Sequence, residues 1–320
     1  MADHAPASSL PHVPVTIFAS VMGLAGLGLA WRKGHAILGL PDVISEVFLA
    51  IAGLAFIAAL LTYALKAMRY PQAVVGEFNH PVRSAFFSTF PIGVLLLAAG
   101  LYPYSASGAF ALWVAGAILQ LVLTIRLIVR WMVHKQEINH VNAAWFIPIV
   151  GNIIVPILGA RMGMTEISWF FLSVGMLFWL PMLTIILYRV IFHDALPPRL
   201  MPTLFILLPP PSIGYVSYVG LTGNVDTFAQ VLVNGALFLT LVLLAKSKSF
   251  VGLPFAVSWW AFTFPLDAVA LASIEHAHRF PGGMWPVVGT VLLALASLVV
   301  VLVSVRTVAS IAAGSLFHPE

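Results

Sequence analysis

The stretch SAFFSTFPIGVLLLAAGLYPYSASGAFALWVAGAILQLVLTI, residues 84–125, runs for 42 positions between Arg83 and Arg126 without one Asp, Glu, Lys or Arg. A bilayer's hydrocarbon core is about 30 Å thick and takes roughly 20 apolar residues of helix per crossing. This stretch therefore predicts two membrane helices, 84–103 and 108–131. Comparable charge-free gaps recur along all 320 residues. Reading outward from the first pair gives ten spans: 14–31, 43–66, 84–103, 108–131, 143–161, 167–190, 201–221, 227–246, 254–275 and 284–306. The expectation is an all-α polytopic membrane protein, one transmembrane domain over residues 1–320, its short connections pairing neighbouring spans as five helical hairpins.

Composition agrees. Hydrophobic residues make up 61% of the chain and charged ones 8%, a balance that excludes a soluble domain of this length. The net charge of +4 is no nucleic-acid signal, because the Lys and Arg residues sit in short loops and span ends. With no cysteine, disulfides, thiolate nucleophiles and cysteine metal sites are excluded. The first 13 residues carry Asp3, His4 and His12 but no Lys or Arg, a poor signal-peptide start, so the first span is expected to be retained. Of the 15 Lys and Arg residues, 11 fall on the side where the first span starts and four on the other. Positive charge marks the inner face, which puts both chain ends in the cytoplasm; Arg32 and Lys33, straight after the first span, dissent.

Interior prolines follow a second rhythm. They fall in the odd spans, as Pro91, Pro148 with Pro156, Pro202 with Pro209, Pro210 and Pro211, and Pro265; the first span has Gly23, Gly26 and Gly28 instead. Among even spans only the sixth carries a mid-helix proline, Pro181. A mid-helix proline frees carbonyls that lipid cannot satisfy, and broken backbone at membrane depth is tolerated where it faces protein or a water-filled cavity. The odd spans are therefore expected inside, around a path, and the even spans outside, facing lipid.

Enzymatic chemistry has nothing to stand on. No phosphate-binding glycine loop, nucleophile elbow or paired catalytic carboxylates occur. The ten histidines, from His4 to His318, fall in termini, loops or span ends, and none pairs with another at helical spacing for haem or metal; no cofactor is expected. Glu275, His276 and His278 form at most a weak cation cluster in a solvated loop. An ionisable residue deep in a span costs at least ~2.5–3.5 kcal/mol on the insertion scale, so it marks function or a structural partner. Asp267 is in that position, whereas Glu46, Lys66, Arg126 and Arg189 reach an interface by snorkelling. It lies one turn after Phe264 in Ser258-Trp259-Trp260-Ala261-Phe262-Thr263-Phe264-Pro265, where a bulky ring precedes a helix break.

Those eight residues resemble the ninth-helix signature of the tellurite-resistance/dicarboxylate transporter family, which includes TehA-like proteins and plant slow-type anion channels. His80-Pro81-Val82-Arg83 with Phe86 and Phe87, Gly28-Leu29-Ala30-Trp31, and Val225-Asp226-Thr227 are similar to other stretches of that family. The resemblance implies a homotrimer in the inner membrane of a bacterium. Each protomer would hold a pore lined in quasi-five-fold arrangement by helices 1, 3, 5, 7 and 9 and blocked midway by a phenylalanine. The motif register makes Phe264 the gate, with Phe262 as the alternative. Pro91, Pro148, Pro156, Pro209, Pro210, Pro265, Gly23 and Gly26 are the expected pore-lining or kink positions. Asp267 departs from the family pattern of a small or hydroxyl residue; a charged carboxylate there would repel anions. The expected function is a channel for small inorganic anions of the chloride and nitrate class, with a C4-dicarboxylate or tellurite-related transporter, with or without proton coupling through Asp267, as the alternative.

Overall fold

The computed structural model describes residues 10–317; Asp3, His4 and His318 lie outside them. Among the described residues, nine helical segments are long and apolar enough to cross a membrane: Val15–Leu38, Asp42–Arg69, Arg83–Leu101, Ala106–Val133, Thr165–Phe192, Pro198–Thr222, Thr227–Ala245, Val257–Arg279 and Trp285–Ala312. A shorter apolar one, Ala143–Gly159, stands where the fifth span was expected. Counting it in sequence order gives segments 1 to 10. Segment 5 falls short in residues because part of it is 3-10 helix, which rises about 2.0 Å per residue against 1.5 Å for α; its length is still about 29 Å. A short helix, Pro71–Asn79, links segments 2 and 3.

Burial alternates along the chain. In segments 1, 3, 7 and 9, 72–83% of the most apolar stretch is buried; in segments 2, 4, 6, 8 and 10 only 17–33% is. Segment 5 is buried continuously from Ala143 to Pro156. The even segments turn large apolar side chains outward, among them Leu54, Leu177, Phe238 and Leu298, as a lipid-facing surface requires. Segment 1 packs against 3 and 9, segment 5 against 3 and 7, and segment 7 against 9, so the buried five follow one another in a cycle. Each even segment lies against the odd segments on either side of it, and segment 10 closes onto segment 1.

Backbone form alternates as well. Each odd segment opens with 3-10 helix, at Val15–Ile17, Arg83–Ser88, Ala143–Trp145, Pro198–Leu207 and Val257–Phe262, and then becomes α. Segment 5 breaks a second time at Gly151–Ile154. The even segments are α throughout, Pro181 included, with its ring on the exposed face. Pro91, Pro209, Pro210 and Pro265 sit in the first turn of the α half, where the missing N–H costs little.

Hydroxyls cover the carbonyls loosened at these changes. Ser20 donates to Ile17 O (2.6 Å), Thr89 to Phe86 O (2.6 Å), Thr203 to Leu200 O (2.6 Å), Ser212 to Leu208 O (2.5 Å) and Thr263 to Trp260 O (2.8 Å). Segment 5 draws on its neighbours. Thr124 and Gln120 of segment 4 donate to Pro148 O (2.5 and 3.0 Å), Trp113 Nε1 to Val155 O (2.8 Å), and Ser217 of segment 7 to Ile153 O (2.5 Å).

Two residues expected to snorkel do not. Arg189 is buried and donates to Asp194 O at 2.5 Å. Lys66 is 2% exposed and its ammonium lies 2.8 Å from Glu77 Oε2, itself in a buried side chain. Lys66 also donates to Val13 O (2.7 Å), Glu77 accepts from Val15 N (2.6 Å), and Tyr63 adds a third donor to Glu77 (2.9 Å). The pair thus pins the 3-10 entry of segment 1 to segment 2 and the linking helix, and the gain in hydrogen bonds outweighs the route to water. Breaking such a pair from one side leaves a lone buried charge and costs about 3–5 kcal/mol. Lys66→Ala should therefore lower the thermal unfolding midpoint in detergent sharply. Lys66→Met/Glu77→Leu together should lose less than either single change, a non-additivity that a double-mutant cycle measures.

Candidate pore and gate

At the level where the 3-10 halves become α lies a cavity of about 50 Å³, lined by all five odd segments. Segment 1 contributes Ala19 and Met22, segment 3 Thr89 and Ile92, segment 5 Val150 and Gly151, segment 7 Pro209 and Ile213, and segment 9 Phe264 and Pro265, among others. This is space for about three waters. The wall is apolar: Thr16, Thr89 and Trp260 are its polar side chains, and the Trp260 N–H is turned away to Thr307 Oγ1 (3.0 Å). Among the described residues no Lys, Arg, His, Asp or Glu lines it.

Phe264 is held in the wall by a close approach of segments 1 and 9. A Cβ on Gly26 would come within 2.9 Å of the Phe264 ring, and one on Gly23 within 2.1 Å of Thr263 Oγ1. Both glycines lie in the unbroken helix Phe18–Leu38 and face segment 9; neither is among the cavity-lining residues. Phe262, by contrast, packs away from the cavity in an aromatic group, 4.9 Å from Phe205, 5.6 Å from Phe250 and 5.9 Å from Trp259 between ring centres. The tripeptide Thr-Phe-Pro occurs twice, at 89–91 and 263–265. Its two copies face differently: Thr89 lines the cavity while Phe90 stacks outward on Phe56 of segment 2 (5.6 Å). Pro209, Pro210 and Pro265 line the cavity; Pro91, Pro148 and Pro156 are buried behind it.

Asp267 is 1% exposed and is not among the lining residues. Its carboxylate lies against segment 1, with Oδ2 2.9 Å from where a Gly26 Cβ would stand, and neither oxygen has a hydrogen-bond partner among the described residues. Glu275, His276 and His278 do not converge, and no metal-binding group of three occurs among the described residues. Glu275 pairs with Lys33, while His276 is buried in segment 9, not solvated, with its Nδ1 2.8 Å from the Tyr215 hydroxyl.

The other recurring motifs serve the ends and contacts of the segments. His80 Nδ1 accepts from Val82 and Arg83 N–H (3.1 and 3.2 Å) at the opening of segment 3, and Phe86 lines the cavity. Gly28 admits Leu49 of segment 2, which a Cβ would meet at 2.7 Å, and Trp31 Nε1 donates to Ser297 of segment 10 (2.9 Å). Asp226 caps segment 8 by accepting from Ala229 N–H (3.0 Å). The Tyr218 hydroxyl, with help from that amide, holds the Asp226 carboxyl below its ordinary range. The hydroxyls Thr89 and Thr263, and the Gln120–Thr124 pair, went unread in the sequence. A hydroxyl two residues before a span proline is the signal that would have found the first two.

Residues 12–308 match the family described as the voltage-dependent anion channel family, SLAC1. The chain is 29% identical over 304 residues to the S-type anion channel SLAH2 of Arabidopsis thaliana, covering 92% of this chain and 58% of that protein. It is 27% identical over 280 residues to the guard cell S-type anion channel SLAC1 of the same plant, covering 84% and 50%. The tellurite resistance protein TehA homolog of Haemophilus influenzae is 27% identical over 269 residues, covering 83% and 82%. The chain thus spans about half the length of these plant relatives and most of the bacterial one. A family match running through every segment of the cycle around the cavity leaves one conclusion: this chain belongs to the SLAC1 voltage-dependent anion channel family.

Proposed function

We propose that this protein is a passive channel for small inorganic anions, shut in this conformation by the Phe264 ring. The observation that carries this reading is the position of that ring, in the wall of the cavity that all five buried segments share. A dry, apolar constriction closes a pore by excluding water. The α halves of the inner segments begin at this level, so their positive dipole ends lie nearest it and favour negative charge. With no Lys or Arg in the wall, an anion is attracted without being trapped, which suits conduction.

The same reading includes ten crossings in quasi-five-fold order around the path, supported by the cyclic packing of the buried segments. It includes both chain ends on the cytoplasmic side of a bacterial inner membrane, supported by the Lys and Arg distribution. A homotrimer with one pore per protomer rests on family resemblance alone. Current recordings from the purified protein in planar bilayers test the gate. Phe264→Ala should raise chloride and nitrate conductance at least about tenfold, and Phe262→Ala, in its separate aromatic group, should leave it near wild type. The reverse pattern would move the gate to Phe262.

One observation favours a second reading, a proton-coupled transporter of organic anions: the two unpartnered, buried oxygens of Asp267, one turn from Phe264. Asp267→Asn separates the two. In a Phe264→Ala channel it should change anion conductance little, because the side chain stands off the cavity wall. A coupled transporter would instead lose pH-dependent uptake of a dicarboxylate in the otherwise unaltered protein.

A further inference from the structure

At the rim where segment 4 ends, a cleft of about 430 Å³ opens between residues 79–81 and the loop 134–140. Arg130, His134, Lys135 and His140 line it, with Asn79 opposite and Glu137 as the lining carboxylate. We propose that this cleft binds the phosphate of an anionic phospholipid in the adjoining leaflet. The inference rests on the chain being membrane-embedded and stands apart from the channel reading.

Depth comes first. Trp131 stacks on Trp145 with ring centres 4.5 Å apart and planes 11° from parallel, and tryptophans gather where acyl chains meet headgroups. Met132 and Val133 beside it are 81% and 69% exposed, apolar surface that only lipid covers well. The cleft therefore opens at headgroup level.

Charge comes second. Arg130 is fixed in place by donating to Phe78 O (2.6 Å) and to Asn79 O, carbonyls that leave its positive charge uncompensated. Arg126, four residues earlier and exposed, is not among the lining residues, but a side chain of its length on the same helix face is within range of the headgroup level. Among the described residues neither arginine nor Lys135 forms an ion pair. Two basic lining side chains, Arg130 and Lys135, with Arg126 below them, against one lining carboxylate leave the rim positive, and the volume suits a headgroup. The N–H groups of Arg130 not used by Phe78 O and Asn79 O, the Lys135 ammonium, the histidine rings and Asn79 are the polar partners for phosphate oxygens.

A phosphatidylcholine carries its own ammonium and gains little here; a phosphatidylglycerol, with a bare phosphodiester, gains the full attraction. The test uses the whole protein in nanodiscs of mixed phosphatidylglycerol and phosphatidylcholine, with co-purifying lipid counted by native mass spectrometry. Wild type should retain phosphatidylglycerol several-fold over its share in the disc. Arg126→Gln/Lys135→Gln, both at exposed positions, should abolish that enrichment and leave phosphatidylglycerol at about its share in the disc, while the distant Lys248→Gln leaves it unchanged. No enrichment in wild type, or enrichment that survives the double substitution, overturns the assignment. So does equal thermal stabilisation of the protein in pure phosphatidylcholine discs by millimolar inorganic phosphate, which would make the cleft a site for the free ion.

Discussion

Inside a bilayer every backbone N–H and C=O must find its partner within the protein, because lipid offers none. An uninterrupted α-helix meets that demand alone, and the even segments do so, which leaves their outward side chains free to be apolar. The odd segments break the ladder, and the rest of the structure follows from that break. They are buried because broken backbone cannot face lipid. They carry Ser and Thr at the change of helix type because the loosened carbonyls need donors. Segment 5, broken twice, also needs Gln120, Thr124, Trp113 and Ser217 from its neighbours. Five segments that each change form at one level leave a space there that none of them fills.

Phe264 occupies the wall of that space, and small residues let it. Gly23 and Gly26 bring segments 1 and 9 together closely enough that a methyl group on either would force the pair apart. Pro265, next to the ring, sits in the first turn of the α half that begins at Thr263. The Lys66–Glu77 pair fixes the start of segment 1, whose next residues, Thr16 and Ala19, line the same cavity. Side chains distant in sequence thus converge on one apolar constriction without placing a charge in it.

Much of this was legible beforehand, for reasons that differ by element. Charge-free runs reported the crossings because ionised groups are excluded from lipid, and the proline alternation reported the inner segments because proline breaks the backbone ladder. Segment ends were less legible. Segment 1 continues to Leu38, past the Arg32 and Lys33 that closed the predicted span, because those side chains find Glu46 and Glu275. Lys66 was misread since nothing in its own helix announces Glu77, which comes from the linking helix. His276 read as a loop residue because its partner Tyr215 lies 61 positions away. That Phe264 and not Phe90 lines the cavity was readable only through family register, since the two sit in identical tripeptides and point in different directions.

The central claim is that the buried segments surround a water-accessible path and the exposed ones do not. The chain has no native cysteine, so single cysteines can be placed at will in the Phe264→Ala protein and challenged with a charged methanethiosulfonate reagent. Cysteines at Ala19, Ile92, Val150 and Ile213 should react, and those at Leu54, Leu177, Phe238 and Leu298 should stay unmodified in lipid. Equal reactivity in the two sets, or labelling confined to the second, would contradict the account.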